Sequence, residues 1–86
     1  MKPTIASRLA GLVKQYGLRP SLSCDSDPQQ DLFSNGFLDS FSAISLIAII
    51  EDEYNINFTY EQLASDDMRT LSGITKIIEM LLSRNV

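Results

Sequence analysis

The sequence predicts an all-α domain, a four-helix bundle with a long first loop and a short third helix. Three observations carry this. Apolar residues recur at helical spacing near both ends of the chain. A central apolar run follows a capping residue and closes on acids, and capping signals stand before two further helical segments. Residues 1–86 contain no internal repeat, no low-complexity tract and no linker, so a single domain is expected.

The first helix is expected over roughly 3 to 16, where Ile5, Leu9, Leu12, Val13 and Tyr16 share a face, with Gly17 as a left-handed stop before Leu18. The following stretch holds Pro20, Pro28, Gly36 and many Ser, Asp and Asn residues, with Leu18, Leu22, Leu32, Phe33, Phe37 and Leu38 spaced without a period. It reads as a long loop pinned by apolar anchors, with a helical turn around Asp31 to Phe33; loops of this length are usually functional or disordered, and the anchors argue against disorder. Asp39 then caps a second helix of about 40 to 54. Thr59 and Gln62 form a capping box for a short helix with Tyr60 and Leu63. Thr70 caps a last helix whose Leu71, Ile74, Ile77, Ile78 and Leu81 lie on one face.

Composition narrows function. The chain has no His, so Ser-His and Cys-His pairs and imidazole metal ligands are excluded, and its one Cys closes neither a disulfide nor a zinc cage. No metal site is expected. Cys24 reads as a small packed or loop residue, and it agrees with a reducing compartment. A domain of this size buries only about 60 to 65% of its unfolded surface, which leaves little room for a deep substrate pocket. A carrier or a binder is expected rather than an autonomous enzyme. Net charge is −4, but it is uneven: Lys2, Arg8, Lys14 and Arg19 fall within the first 24 residues with no acid, and all 11 acids follow. The acidic part suits basic protein surfaces and disfavours nucleic acid. The longest uncharged run, Ser40 to Ile50, is well short of the ~18 residues that span a bilayer, so a cytoplasmic protein without a membrane span or targeting segment is expected.

The second helix is unusually apolar. Ala43, Leu46, Ile47, Ile50 and Tyr54 form a stripe sufficient to face a core, yet Phe41, Ile44 and Ala48 fall on another side with Ser45, Glu51 and Asp52 around them. Either the helix is buried on several sides or the surplus is an interaction face. At its start stands the hydroxyl of Ser40, where unpaired backbone N–H groups and the positive end of the helix dipole favour an attached phosphate. Asp39 would repel that phosphate unless a divalent cation neutralised it during transfer. By itself, an acid and a serine before an apolar helix are an ordinary cap.

A larger pattern surrounds that pair. Asp31-Leu32-Phe33, two residues and Gly36-Phe37-Leu38-Asp39-Ser40-Phe41 lead into the apolar helix ending Glu51-Asp52-Glu53-Tyr54, followed by Ile56 and Phe58. Downstream come Asp66-Asp67, two residues, Thr70-Leu71 and Ile74. The ordered set resembles the acyl carrier proteins, in the wider group that includes aminoacyl, peptidyl and D-alanyl carriers. The resemblance covers nearly the whole chain. It implies that Ser40 receives 4′-phosphopantetheine from coenzyme A, with Asp39 capping the helix and aiding the transfer. It further implies that a separate phosphopantetheinyl transferase uses magnesium for this step, and that cargo rides as a thioester on the arm's thiol. The partners implied are that transferase, an acyl- or aminoacyl-loading ligase and a downstream transferase, met by a monomer through Phe41, Ile44, Ala48, Glu51 and Asp52.

A tethered cargo reaches a docked enzyme at high effective concentration, so each encounter can stay weak. One feature departs from the fatty-acid carriers: Ser42 and Ser45 occupy places where their second helix usually presents acids. Together with a final segment similar to D-alanyl carriers, this points to an amino acid or a specialised acyl unit as cargo. The alternative is an unmodified helical module that binds a partner helix through Phe41, Ile44 and Ala48, in which Ser40 is only a replaceable cap.

Overall fold

The computed structural model describes residues 4–18 and 27–84. Four α-helices, Ile5–Tyr16 (α1), Ser40–Tyr54 (α2), Tyr60–Leu63 (α3) and Leu71–Arg84 (α4), are joined by connections that include a 3-10 helix, Asp66–Arg69. The described residues contain no strand, as the all-α expectation requires. The expected start of the first helix at residue 3, and the roles expected of Lys2, Arg19, Pro20, Leu22 and Cys24, lie outside the described residues.

The hydroxyl oxygen of Thr4 accepts the Ser7 N–H at 3.1 Å and opens α1, whose Leu9, Ala10, Leu12 and Val13 are buried. These pack on α4 and α2, and Arg8 on the outer side of α1 forms a two-pronged ion pair with Glu53 of α2, Nη2 to Oε1 at 2.6 Å and Nε to Oε2 at 2.8 Å. Gly17 corrects one expectation. Its φ of −82° and ψ of −176° are extended backbone, not left-handed. Its absent side chain serves proximity instead, since a Cβ there would clash with the Val13 carbonyl oxygen at the end of α1 and lie 2.7 Å from the Phe37 carbonyl oxygen as the chain runs beside the 36–38 segment.

The segment from 27 to 39 is ordered by the anchors the sequence singles out. Leu32, Phe37 and Leu38 are buried and Phe33 is half-buried, while Leu18 is exposed with its N–H donating to the Phe37 carbonyl at 2.9 Å. A helical turn follows Asp31: the Asn35 N–H donates to the Asp31 carbonyl, and Asp31 Oδ1 accepts the N–H groups of Phe33 and Ser34, each at 2.9 Å. The segment is stitched to the far side of the domain by Leu32 N–H to the Arg69 carbonyl at 2.7 Å and Ser72 N–H to the Pro28 carbonyl at 3.0 Å. Pairing these groups with backbone partners lets the loop lie against the core without stranded polar atoms.

The capping box is complete, with the Thr59 hydroxyl accepting the Gln62 N–H and Gln62 Oε1 accepting the Thr59 N–H. The 3-10 helix, which had no periodic signal of its own, brings buried Met68 against the core. Thr70 Oγ1 accepts the Gly73 N–H at 2.9 Å to start α4, and Leu71, Ile74, Ile77, Ile78 and Leu81 all point inward. The second helix runs over the expected span, stopped by Asn55 in the left-handed region (φ 54°), but its stripe needs correction. Leu46 and Ile50 are buried with Ser42, whereas Ala43, Ile47 and Tyr54 are only part-buried. The core face is centred closer to Ser42, and Ile47 sits at its margin.

Candidate functional site

The start of α2 is fixed from both sides. Gly36, at φ 79°, turns the chain in a conformation costly for other residues and sends Phe37 and Leu38 into the core. Their N–H groups both donate to the Leu32 carbonyl, at 2.9 and 3.1 Å. Asp39 then adopts extended backbone as the N-cap, its Oδ1 accepting the Ser42 N–H at 2.8 Å. Donation from the Ser42 N–H holds the Asp39 carboxyl below the usual carboxylate range. Ser40, the first residue of α2, is thereby left exposed directly after the last fixed point of the loop.

Beside Ser40 opens a largely apolar groove of about 360 Å³ between α2 and the α3 to 3-10 region. Helix α2 contributes Ala43, Ile44, Ile47 and Ile50, and the opposite side contributes Leu63, Ala64 and Met68. Polar groups are confined to Ser40, Ser65, Asp66 and Arg69. Arg69 is itself held: Nε donates to Asp31 Oδ2 at 2.6 Å, and its guanidinium lies 5.0 Å from the Phe33 ring centre. The Arg69 bond, helped by the Ser34 and Phe33 N–H groups, holds the Asp31 carboxyl at about 2. This pair ties the loop before α2 to the 3-10 helix.

The surface named from the sequence divides in two. Phe41 and Ile44 are 80% and 68% exposed, and Ala48 is exposed on the same helix, so the surplus apolar side of α2 faces outward rather than into a second core. Asp52 is exposed. Glu51 is not free on that surface: half-buried, it accepts the Phe58 N–H with Oε2 at 2.9 Å and secures the turn after α2. Its fixed carboxylate serves the turn first, because that N–H would otherwise be left without a partner near the core.

Sequence reading overlooked the Asp31–Arg69 pair, the buried Ser42 and the Leu63 to Ser65 side of the groove. The pair left one trace, since Arg69 is the single basic residue between Arg19 and Lys76. Chemically, the site offers one accessible hydroxyl and no base to activate it. There is no His in the chain, and Asp39, hydrogen-bonded and held ionised, is a weak proton acceptor. Among the described residues no cluster of acids or thiols is arranged to hold a metal ion.

Residues 9–78 match the sequence signature of the family described as phosphopantetheine attachment site, a span that contains the α2 start and both sides of the groove. The chain belongs to that family. A phosphopantetheine attachment-site domain carries its 4′-phosphopantetheine covalently, so the reactive thiol is supplied by the attached group. The chain is also similar to the D-alanyl carrier proteins of Streptococcus pyogenes strain Manfredo and strain NZ131, at 35% identity over 52 residues, 60% of this chain and 66% of each relative. The match thus spans just under two thirds of those relatives' length. No solved structure matches the chain significantly. The residues at this site fit the family's group: an exposed serine begins a helix, and an apolar groove lies beside it.

Proposed function

We propose that this chain is a carrier protein whose Ser40 bears 4′-phosphopantetheine and which presents an acyl or aminoacyl group, held as a thioester, to partner enzymes. The observation that carries the reading is the position of Ser40, exposed at the first residue of α2 and at the mouth of the apolar groove. In the modification, the Ser40 oxygen bonds to the phosphorus next to pantetheine, the diphosphate bond of coenzyme A breaks, adenosine 3′,5′-bisphosphate leaves, and the hydroxyl proton passes to a base outside this chain. The attached arm supplies a thiol for thioester exchange. Asp39 keeps the first turn of α2 closed, and the helix N-terminus stabilises the phosphodiester.

The partners follow from the surface. A phosphopantetheinyl transferase, a loading ligase and a downstream transferase would meet Phe41, Ile44 and Ala48 around the arm's root, with Asp52 and the acids of the α3 region attracting basic contacts. One copy suffices, because serine, groove and patch belong to the same chain, and the working protein is a cytoplasmic monomer. Similarity to D-alanyl carriers and the serines at 42 and 45 support an amino acid or a specialised acyl unit as cargo. Among the described residues no helix is long and apolar enough to cross a membrane.

The test is the intact mass after incubation with coenzyme A, magnesium and a broad-specificity transferase. Wild type should gain one phosphopantetheine and Ser40→Ala none, with the helical circular dichroism of the variant preserved because Asp39 still caps α2. Absence of modification with several transferases would favour the unmodified interaction module, for which the exposed Phe41 and Ile44 are the supporting observation.

A further inference from the structure

Arg69 is the only basic residue lining the groove beside Ser40, and its fork of donors is only partly used. In the Arg8–Glu53 pair the carboxylate takes both Nε and Nη2. Arg69 gives Asp31 only its Nε, to Oδ2 at 2.6 Å, while Asp31 Oδ1 accepts the Phe33 and Ser34 N–H groups. No described residue accepts from the Arg69 Nη groups. The guanidinium is nonetheless held, by Asp31 at Nε and by the Phe33 ring beneath it, while the side chain stays 42% exposed. The other side chains of the groove have little to offer a carbonyl oxygen. The Ser65 hydroxyl already donates to the Gln62 carbonyl at 2.7 Å, the Asp66 carboxylate only accepts, Ser40 gives up its hydroxyl proton on modification, and the rest are apolar.

We propose that Arg69 is the polar anchor of the pantetheine arm, its Nη groups donating to an amide carbonyl oxygen of the arm so that the arm rests against the groove. This rests on the reading of Ser40 as the attachment point. The arm joins apolar carbons to amides, and an amide laid on an apolar wall without a partner costs free energy, so the groove holds the arm only where it also supplies a donor. A neutral carbonyl suits Arg69 better than an anion does. Its charge is already met by Asp31, and Asp66 lines the same groove, so an added anion would face two carboxylates. A single bond at a part-exposed side chain is also easily broken, which lets a docked enzyme draw the arm out.

The experiment uses the full chain in unmodified and holo forms, the latter made with coenzyme A, magnesium and a broad-specificity transferase and checked by intact mass. Melting curves are compared for wild type, Arg69→Met, which keeps a long apolar stem and loses the donors, and Asp31→Asn, which keeps Arg69 and an acceptor for its Nε. Holo wild type should melt about 4 to 8 °C above the unmodified form, the size of one ordinary net hydrogen bond in a domain this small. Both variants should start lower because the Asp31 pair is weakened, but only Arg69→Met should lose the holo shift. A second measurement needs no variant: in holo wild type without cargo, proton nuclear Overhauser contacts should join the arm to the Phe33 ring and the Met68 methyl. No holo shift in wild type, a shift kept by Arg69→Met, a shift lost in Asp31→Asn, or no contact between arm and groove overturns the proposal. Contacts that form only after loading overturn it in favour of the thioester carbonyl. If wild type accepts no phosphopantetheine, the Ser40 reading fails as well, whereas modification without a holo shift leaves that reading standing and removes only the role of Arg69.

Discussion

Removing three side chains of α2 one at a time separates its structural side from its docking side. Leu46 is 2% exposed, Ile47 is part-buried and Ile44 is 68% exposed, so truncation to alanine should give three different costs. Enclosed leucines truncated to alanine cost about 2 to 5 kcal/mol, the spread reflecting how much of the cavity stays empty. Leu46 borders the 360 Å³ groove, so part of its void merges with existing open space, and the expected cost lies low in the range, about 2 to 3 kcal/mol. In a domain of this size each kcal/mol is worth about 4 to 8 °C, so Leu46→Ala should melt roughly 8 to 24 °C lower. Ile47→Ala should cost about 1 kcal/mol for its partial burial, and Ile44→Ala about 0.5 kcal/mol or less. Loading reverses the order. Ile44→Ala should slow transfer of phosphopantetheine or cargo by about fivefold or more, as loss of an apolar anchor beside the reacting group does, while its melting curve overlays wild type. The assay pairs thermal unfolding by circular dichroism with rates by intact mass at a temperature where all variants are folded. If Ile44→Ala melts as low as Leu46→Ala, α2 is buried on both sides in solution and the docking argument fails; if it melts and loads like wild type, the exposed patch has no part in recognition.

Ala48→Glu places a charge in the same patch and should depress loading with little change in melting, because the residue is exposed; a wild-type rate would remove Ala48 from the docking surface. Gly36→Ala should destabilise by about 1 to 2 kcal/mol because its φ of 79° is strained for a side chain, and an unchanged urea midpoint would contradict that turn geometry. The Asp31 carboxyl is held at about 2, below its ordinary 3.8, so its contribution is complete above about pH 4 and is lost as pH falls toward 2. Asp31→Asn should therefore lower stability at neutral pH and flatten the loss between about pH 4 and 2, with Glu53 and Asp39, also lowered, keeping part of the slope; parallel curves for variant and wild type would show that the Arg69 pair does not stabilise the fold.

What the sequence determined by itself was local. Caps act over three residues and helical faces over four, so Asp39, Thr59 with Gln62, Thr70 and the α4 stripe were all legible before any packing was known. Ser40 at a helix start, and the excess of apolar residues on α2, were legible for the same reason, as was the family resemblance, which rests on ordered short motifs. Only tertiary structure decided the rest, because those features depend on residues far apart in the chain. Gly17 is required by the close approach of the Phe37 carbonyl, together with that of Val13 in its own helix, and not by its own φ, and Glu51 is held by the Phe58 N–H. Beside the groove, Asp31 and Arg69, 38 residues apart, join the loop before α2 to the 3-10 helix. Periodicity marked both Ile47 and Leu46 as apolar, and only the packing of the helices could leave one part-buried and bury the other.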